Sequence, residues 1–337
     1  MKSHKHYSAN KAAKLGNLGA AILALTLHTS TADVTIAEFP DVGQFSYNVN
    51  WMTDLDQKRA GLPNNGSMYC VPTSAMNLFT YAANFGFPGL FPGPGVWEGV
   101  PGHDEMTNNL DWLGFLMSTS ATGGTGGTGY VNGVNAWLDA FAPEPMAFVR
   151  ITRSGDTWPT IDHGAFLGAA GAVVNFCYGR YEYIMGLQGV PFLTERTGGH
   201  CVTLQRTVAT NGLYLGSREI QFRNPGGSSD DGNLNANSNH VSTDVESAAN
   251  INVRRDTDGD GINESYTVTS LINPATDRYR IIDSVSGLYP PAGHAYSNVE
   301  VSAQFANGGL GFASEQDPTV YEIPKSMDIL GVTAHPE

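Results

Sequence analysis

The stretch "NNGSMYCVPTSAMNLFTYAANFG", residues 64–86, sets Cys70 directly before a run whose apolar side chains recur at helical spacing. From Val71 onward, Ala75, Met76, Leu78, Phe79, Ala82 and Phe85 return at intervals of three and four and mark one apolar face. Pro72 suits only the first turn of such a helix, where its missing N–H costs nothing. Cys70 is therefore placed at the helix N-terminus. Unpaired backbone N–H groups and the positive end of the macrodipole there favour a thiolate over a thiol. The position is one that activates a cysteine, and it prompts a search for a base.

The chain holds 9 histidines. His4, His6 and His28 lie in the N-terminal segment, and His335 lies at the C-terminal end. His103, His163, His240 and His294 have Gly-, Pro- or Asn-rich surroundings and read as exposed loop residues. His200 differs, because it follows Gly198 and Gly199 and opens the strand-like run "HCVTLQR". A rigid element would hold it at a strand end. Downstream, "REIQFRNPGG" reads as a strand that stops at Asn224, since Pro225 cannot continue a central ladder and restrains the residue before it. An Asn oxygen can accept from an imidazole N–H. Cys70, His200 and Asn224 thus supply, in that order, a nucleophile, a base and an orienting amide.

A chain of 337 residues, 41% of them hydrophobic, can bury a substantial core, and 40 glycines with 18 prolines imply many turns around it. The formal net charge of -14 comes without any basic block, which argues against nucleic-acid partners and anionic membranes. Lys2, Lys5, Lys11 and Lys14 precede the apolar segment "LGNLGAAILALTL", the pattern of an export signal cleaved after Ala32, with an uncleaved anchor as the alternative. Residues 1–32 would then be removed, leaving a secreted or periplasmic protein free of the membrane. Export gives the cysteines a redox setting. Cys177 and Cys201 lie in two strand-like runs and either pair across neighbouring strands or pack as small buried hydrophobes; Cys70 is the odd one out.

Taken together, "NNGSMYCVPTSAMNLFTYAANFG", "GGHCVTLQR" and "IQFRNPGG" resemble the papain-like cysteine peptidases, and more closely their bacterial branch similar to the double-glycine, bacteriocin-processing peptidases. The segment "LGFLMSTSATGGTGGTGYVNGVNAWLDAF" looks like the family's stretch between the nucleophile helix and the sheet. The likeness spans roughly residues 50–230. It implies an α+β fold, with a nucleophile helix packed on an antiparallel sheet, and here a β-rich C-terminal extension over about 240–337. It also implies hydrolysis of peptide bonds in a peptide or protein substrate through a thioester, with Cys70 as nucleophile, His200 as base and then acid, and Asn224 orienting His200. Family members commonly carry a Gln shortly before the cysteine as an oxyanion donor; Asn64 stands in that place, with Asn65 beside it. The shorter amide keeps two alternatives open, an inactive papain-like fold that binds peptides or other partners and a calcium-stabilised structural protein.

The calcium alternative rests on "DTDGDGINES", in which Asp256, Asp258 and Asp260 alternate before Gly261 between two strand-like runs. That spacing aims successive carboxylates at one ion, and Ile262 and Glu264 are the further candidate ligands of a Ca2+ loop over 256–267. Thr267 stands where a bidentate Glu would complete an EF-hand. The competing reading is an ordinary Asp/Gly turn with solvated acids. No organic cofactor is implied.

Overall fold

The computed structural model describes residues 34–36, 44–91, 99–153, 158–169, 171–210, 217–226, 243–272, 278–296, 299–304, 310–312 and 332–334. The proposed export segment and His240 lie outside them. In chain order the elements are β1 (Val34–Ile36), β2 (Gln44–Val49), α1 (Cys70–Asn84), α2 (Gly99–Leu116), α3 (Gly127–Phe141), β3 (Ala147–Thr152), α4 (Ile161–Ala169), β4 (Val173–Met185), β5 (Pro191–Thr210), β6 (Ser217–Arg223), β7 (Asp244–Arg255), β8 (Glu264–Ile272), β9 (Tyr279–Tyr289), β10 (Val299–Gln304), β11 (Leu310–Phe312) and β12 (Val332–Ala334). No helix among the described residues is long and apolar enough to cross a membrane.

Six strands follow one another as β5, β4, β9, β8, β7 and β6, and β6 returns to pair with β5. The result is a closed antiparallel barrel. Register shifts at Arg180/Tyr181, Tyr181/Tyr183, Cys177/Tyr178 and Leu204/Arg206 supply the local bends that closure needs. Strand β2 continues from β5 and carries β10 and then β11, while β3 shares the edge of β9 with β8. Strands β1 and β12 pair separately.

This architecture overturns the expected papain-like arrangement of a nucleophile helix on a sheet with an appended β-rich extension. Strands β7, β8 and β9, assigned to the extension, are half of the ring. Closure gives their backbone N–H and C=O groups partners that an open sheet would leave at an edge.

Helix α1 forms where the apolar period and Pro72 place it, and nearly every residue from Val71 to Ala83 is buried. One side packs on β4 and β5, and the other meets the helical layer. There Phe79 stacks on Trp137 with centroids 5.6 Å apart, and Trp137 Nε1 donates to the Leu90 carbonyl at 2.9 Å. Asn77 sets the rotation of α1 with one amide: its Oδ1 accepts from Leu55 N at 3.0 Å, and its Nδ2 donates to Thr203 Oγ1 on β5 at 3.1 Å. Both polar ends are satisfied inside a dry interface, where an unpaired end would be costly.

The first turn of α4 reaches across the other barrel strands. Ile161 N donates to Thr269 Oγ1 on β8 at 3.0 Å, and the buried Asp162 accepts from Arg218 on β6 and from Asn250 Nδ2 on β7, the latter at 2.8 Å. His163 beside it is buried, as is His103 in α2, so neither is the exposed loop residue their polar surroundings suggested. Burial pushes the His163 imidazole down to about 4. His294 does sit in the open, 3.4 Å from Glu144.

Candidate functional site

His200 stands on β5 opposite Tyr178, and its successor Cys201 lies opposite Cys177 in the β4–β5 ladder. Cys177 and Cys201 form a disulfide across the two strands, with Cα atoms 4.0 Å apart, which selects the first of the two readings of that pair. Cys70 is the free cysteine. Because successive side chains on a strand alternate, the bridge holds one face of β5 and leaves His200 on the other.

Asn224 directly follows β6, the barrel neighbour of β5, and precedes Pro225, which cannot continue the strand. Its Oδ1 lies 2.6 Å from His200 Nε2 and also accepts from Gly226 N at 3.2 Å. Its Nδ2 donates to Asp244 Oδ2 at 2.7 Å. The amide therefore presents its oxygen to the imidazole, so His200 carries its proton on Nε2 and leaves Nδ1 as the basic nitrogen.

Cys70 is half-buried at the start of α1. Burial raises its thiol above the ordinary value, and this outweighs the opposing pull of the backbone N–H groups of Cys201, Val71 and Cys70 itself, and of the Arg180 charge. The expected resting thiolate is therefore corrected: the helix terminus is present, but desolvation is larger. Burial also lowers His200, to about 4, with Asn224 raising it and Arg180 lowering it in turn. The resting pair is a neutral thiol and a neutral imidazole. The contact with the N–H of Cys201 puts the thiol beside the residue that follows His200 on β5, and His200 and Asn224 are in direct contact.

Asn64 does not join them. It sits in a 3-10 turn (Pro63–Gly66) with φ 48°, and its Nδ2 donates to the Ala121 carbonyl at 3.2 Å on the exposed side. Asn65 shares the same left-handed geometry, with φ 49°. The residue that does lie at the site is Gln57. Its backbone N donates to the Pro225 carbonyl at 2.8 Å, which ties it to the turn after Asn224. A Cβ placed on Gly226 would lie 3.1 Å from the Gln57 amide oxygen and 3.5 Å from His200 Cε1, so the two side chains flank the same glycine. The buried Gln57 Nε2 donates to the carbonyls of Gly66 and Ser67 at 3.2 and 3.1 Å and so clamps the chain that leads into Cys70. The 3-10 turn loops out between Gln57 and Cys70, which hid this residue from a search by spacing. A Gln in the buried-looking run "WMTDLDQ" was the available signal.

The aspartate loop joins β7 to β8 as a hairpin. Ligand atoms of Asp256, Asp258 and Asp260 lie within 4.8 Å of one another. The same carboxylates bond the turn itself: Asp256 accepts from Gly259 N and Gly261 N, Asp258 from Asp260 N, and Asp260 from Ile262 N. Glu264 instead accepts from Tyr266 Oη at 3.1 Å, and the Ile262 side chain points to solvent.

Comparison with protein-family models, with curated proteins and with solved structures returns no match.

Proposed function

We propose that this protein is a thiol hydrolase that cleaves peptide bonds by acyl transfer, with Cys70 as nucleophile, His200 as base and acid, and Asn224 orienting His200. The observation that carries the reading is the 2.6 Å contact between His200 Nε2 and Asn224 Oδ1, which leaves Nδ1 as the base, while the free cysteine at a helix start meets the N–H of the next residue on β5. Because both groups rest neutral, proton transfer from Cys70 to Nδ1 accompanies attack of sulfur on the substrate carbonyl carbon. In this reading the backbone N–H of Cys70 donates to the developing oxyanion. The imidazolium then protonates the leaving amine, and a thioester remains. Neutral His200 next takes a proton from water, which adds to the thioester and releases the acid and the thiol.

Activity on a fluorogenic peptide library, with Cys70→Ala, His200→Ala and Asn224→Ala variants, tests this. Loss of turnover in the first two and a residual fraction in the third are expected, since Asn224 only orients. Wild-type activity that survives His200→Ala would sink the assignment. Gln57→Ala should lower kcat by loosening the segment before Cys70, whereas Asn64→Ala should leave it unchanged.

A second reading, a peptide-binding protein without turnover, is favoured by one observation: both Gln57 amide protons are already used on Gly66 and Ser67, and Asn64 faces away. A wild type that binds peptides but cleaves none of the library would select it. Export of the mature chain belongs to the same proposal and is supported by the Cys177–Cys201 bridge, which persists in oxidising compartments. Calcium at the Asp256–Asp258–Asp260 turn is a separate proposal of a structural kind.

A further inference from the structure

Asp244 is the first residue of β7, and its neighbour across the ladder is Phe222, two positions before Asn224. Closure of the barrel therefore delivers a half-buried carboxylate to the far side of the amide that holds His200. The bond from Asn224 Nδ2 to Asp244 Oδ2, at 2.7 Å, is charge-assisted and so about twice as strong as a neutral one. Its effect is directional, because an Asn amide can bond with either end. Turned over, the amide would offer N–H to His200 Nε2, which would have to accept. The imidazole proton would then sit on Nδ1, the nitrogen needed to receive the thiol proton. The carboxylate excludes that state, since the turned amide would oppose its oxygen to Asp244. Gly226 N, at 3.2 Å from Oδ1, favours the same orientation more weakly.

We infer that Asp244 is a positioning residue that selects the His200 tautomer through Asn224, extending the Cys70–His200–Asn224 arrangement by a fourth member. The inference rests on the acyl-transfer reading for its catalytic consequence, but the tautomer itself is independent of turnover.

The test compares the full-length wild type, Asp244→Ala and Asp244→Asn. The Asn variant keeps the size of the side chain but, unlike a carboxylate, can donate as well as accept. Histidine-selective 15N NMR at neutral pH, with His200 identified by its loss in His200→Gln, reads the tautomer. Peptide hydrolysis reads kcat and KM. The wild type should show the proton on Nε2. Asp244→Ala should show a mixture and a kcat lowered in proportion to the fraction protonated on Nε2, about twofold for equal populations, with KM unchanged. Asp244→Asn should also show a mixture, because its own amide can turn over together with that of Asn224. If Asp244→Ala does not fold, Asp244→Ser, whose hydroxyl is too short to reach, replaces it with the same expected readings. An unchanged tautomer in the Ala, Ser or Asn variant overturns the inference. If the wild type cleaves no peptide, the hydrolase proposal fails, and the NMR arm alone decides the role of Asp244.

Discussion

Lowering the pH should destabilise this protein through His200 by an amount that can be isolated. Burial holds the folded-state imidazole at about 4, against an ordinary value of 6.5 in the unfolded chain. As pH falls below 6.5, the unfolded chain takes up the proton first, so stability drops across the window from 6.5 to about 4 and levels off below it. Integrated from neutral pH down to about pH 5, that difference gives at most about 2 kcal/mol, an upper figure because the half-buried ring keeps some contact with water. Urea denaturation of the wild type and His200→Gln at about pH 7.5 and pH 5 measures it. The wild type should lose more than the variant, by up to about 2 kcal/mol. His163 and His103 are also lowered by burial, and Asp283 is raised by it, but these groups are common to both proteins and cancel in the difference. Equal losses in the two proteins would refute the reasoning, because His200 would then be as easily protonated folded as unfolded.

Cys70 should be the single thiol labelled by iodoacetamide in the unreduced native protein, and its rate should climb only above the usual thiol range, because burial raises it. Rapid labelling at about pH 6 would show a resting thiolate and contradict the desolvation argument. For the same reason kcat/KM should lose its acid limb near 4, as His200 gains a proton, and stay level through neutral pH; a midpoint close to 6.5 would count against the enclosed imidazole. Replacing Cys177 and Cys201 together by Ala releases a cross-link spanning 24 residues and should cost about 3 kcal/mol in urea denaturation; an unchanged midpoint would mean that the bridge constrains little. Millimolar calcium is expected to raise the Tm over chelator and to lose that effect in Asp258→Asn, so superimposable melts would remove the ion proposal.

Much of the local structure was legible in the residues. The three-and-four apolar period with Pro72 placed α1, and the glycines before His200 and the proline after Asn224 placed two side chains at strand ends that do meet. Ring closure was not legible. The alternation along β6, β7 and β9 is the same whether a strand borders an open sheet or completes a barrel, and the pairing of β9 onto β4, far apart in sequence, is a property of the assembled chain. The reading of Asn64 failed because spacing along the chain cannot reveal a 3-10 turn that loops out, while Gln57 is anchored by its backbone to Pro225, far away in sequence. The direction of the Cys70 shift failed for a related reason. A helix terminus is visible in sequence, but the burial that outweighs it belongs to the tertiary structure.

The two halves of the site belong to different layers. His200 and Asp244 ride on β5 and β7 and Asn224 on the residue just past β6 between them, whereas Cys70 rides on α1, and the Asn77 amide with its bond to Thr203 is a seam between the two layers. A sub-global opening along that seam would part sulfur from imidazole while each layer kept its own hydrogen bonds. Competence for chemistry is thus a report on docking as well as on folding: in rising denaturant, activity should disappear ahead of the barrel's own signal, and amide exchange should be faster along α1 than along β5.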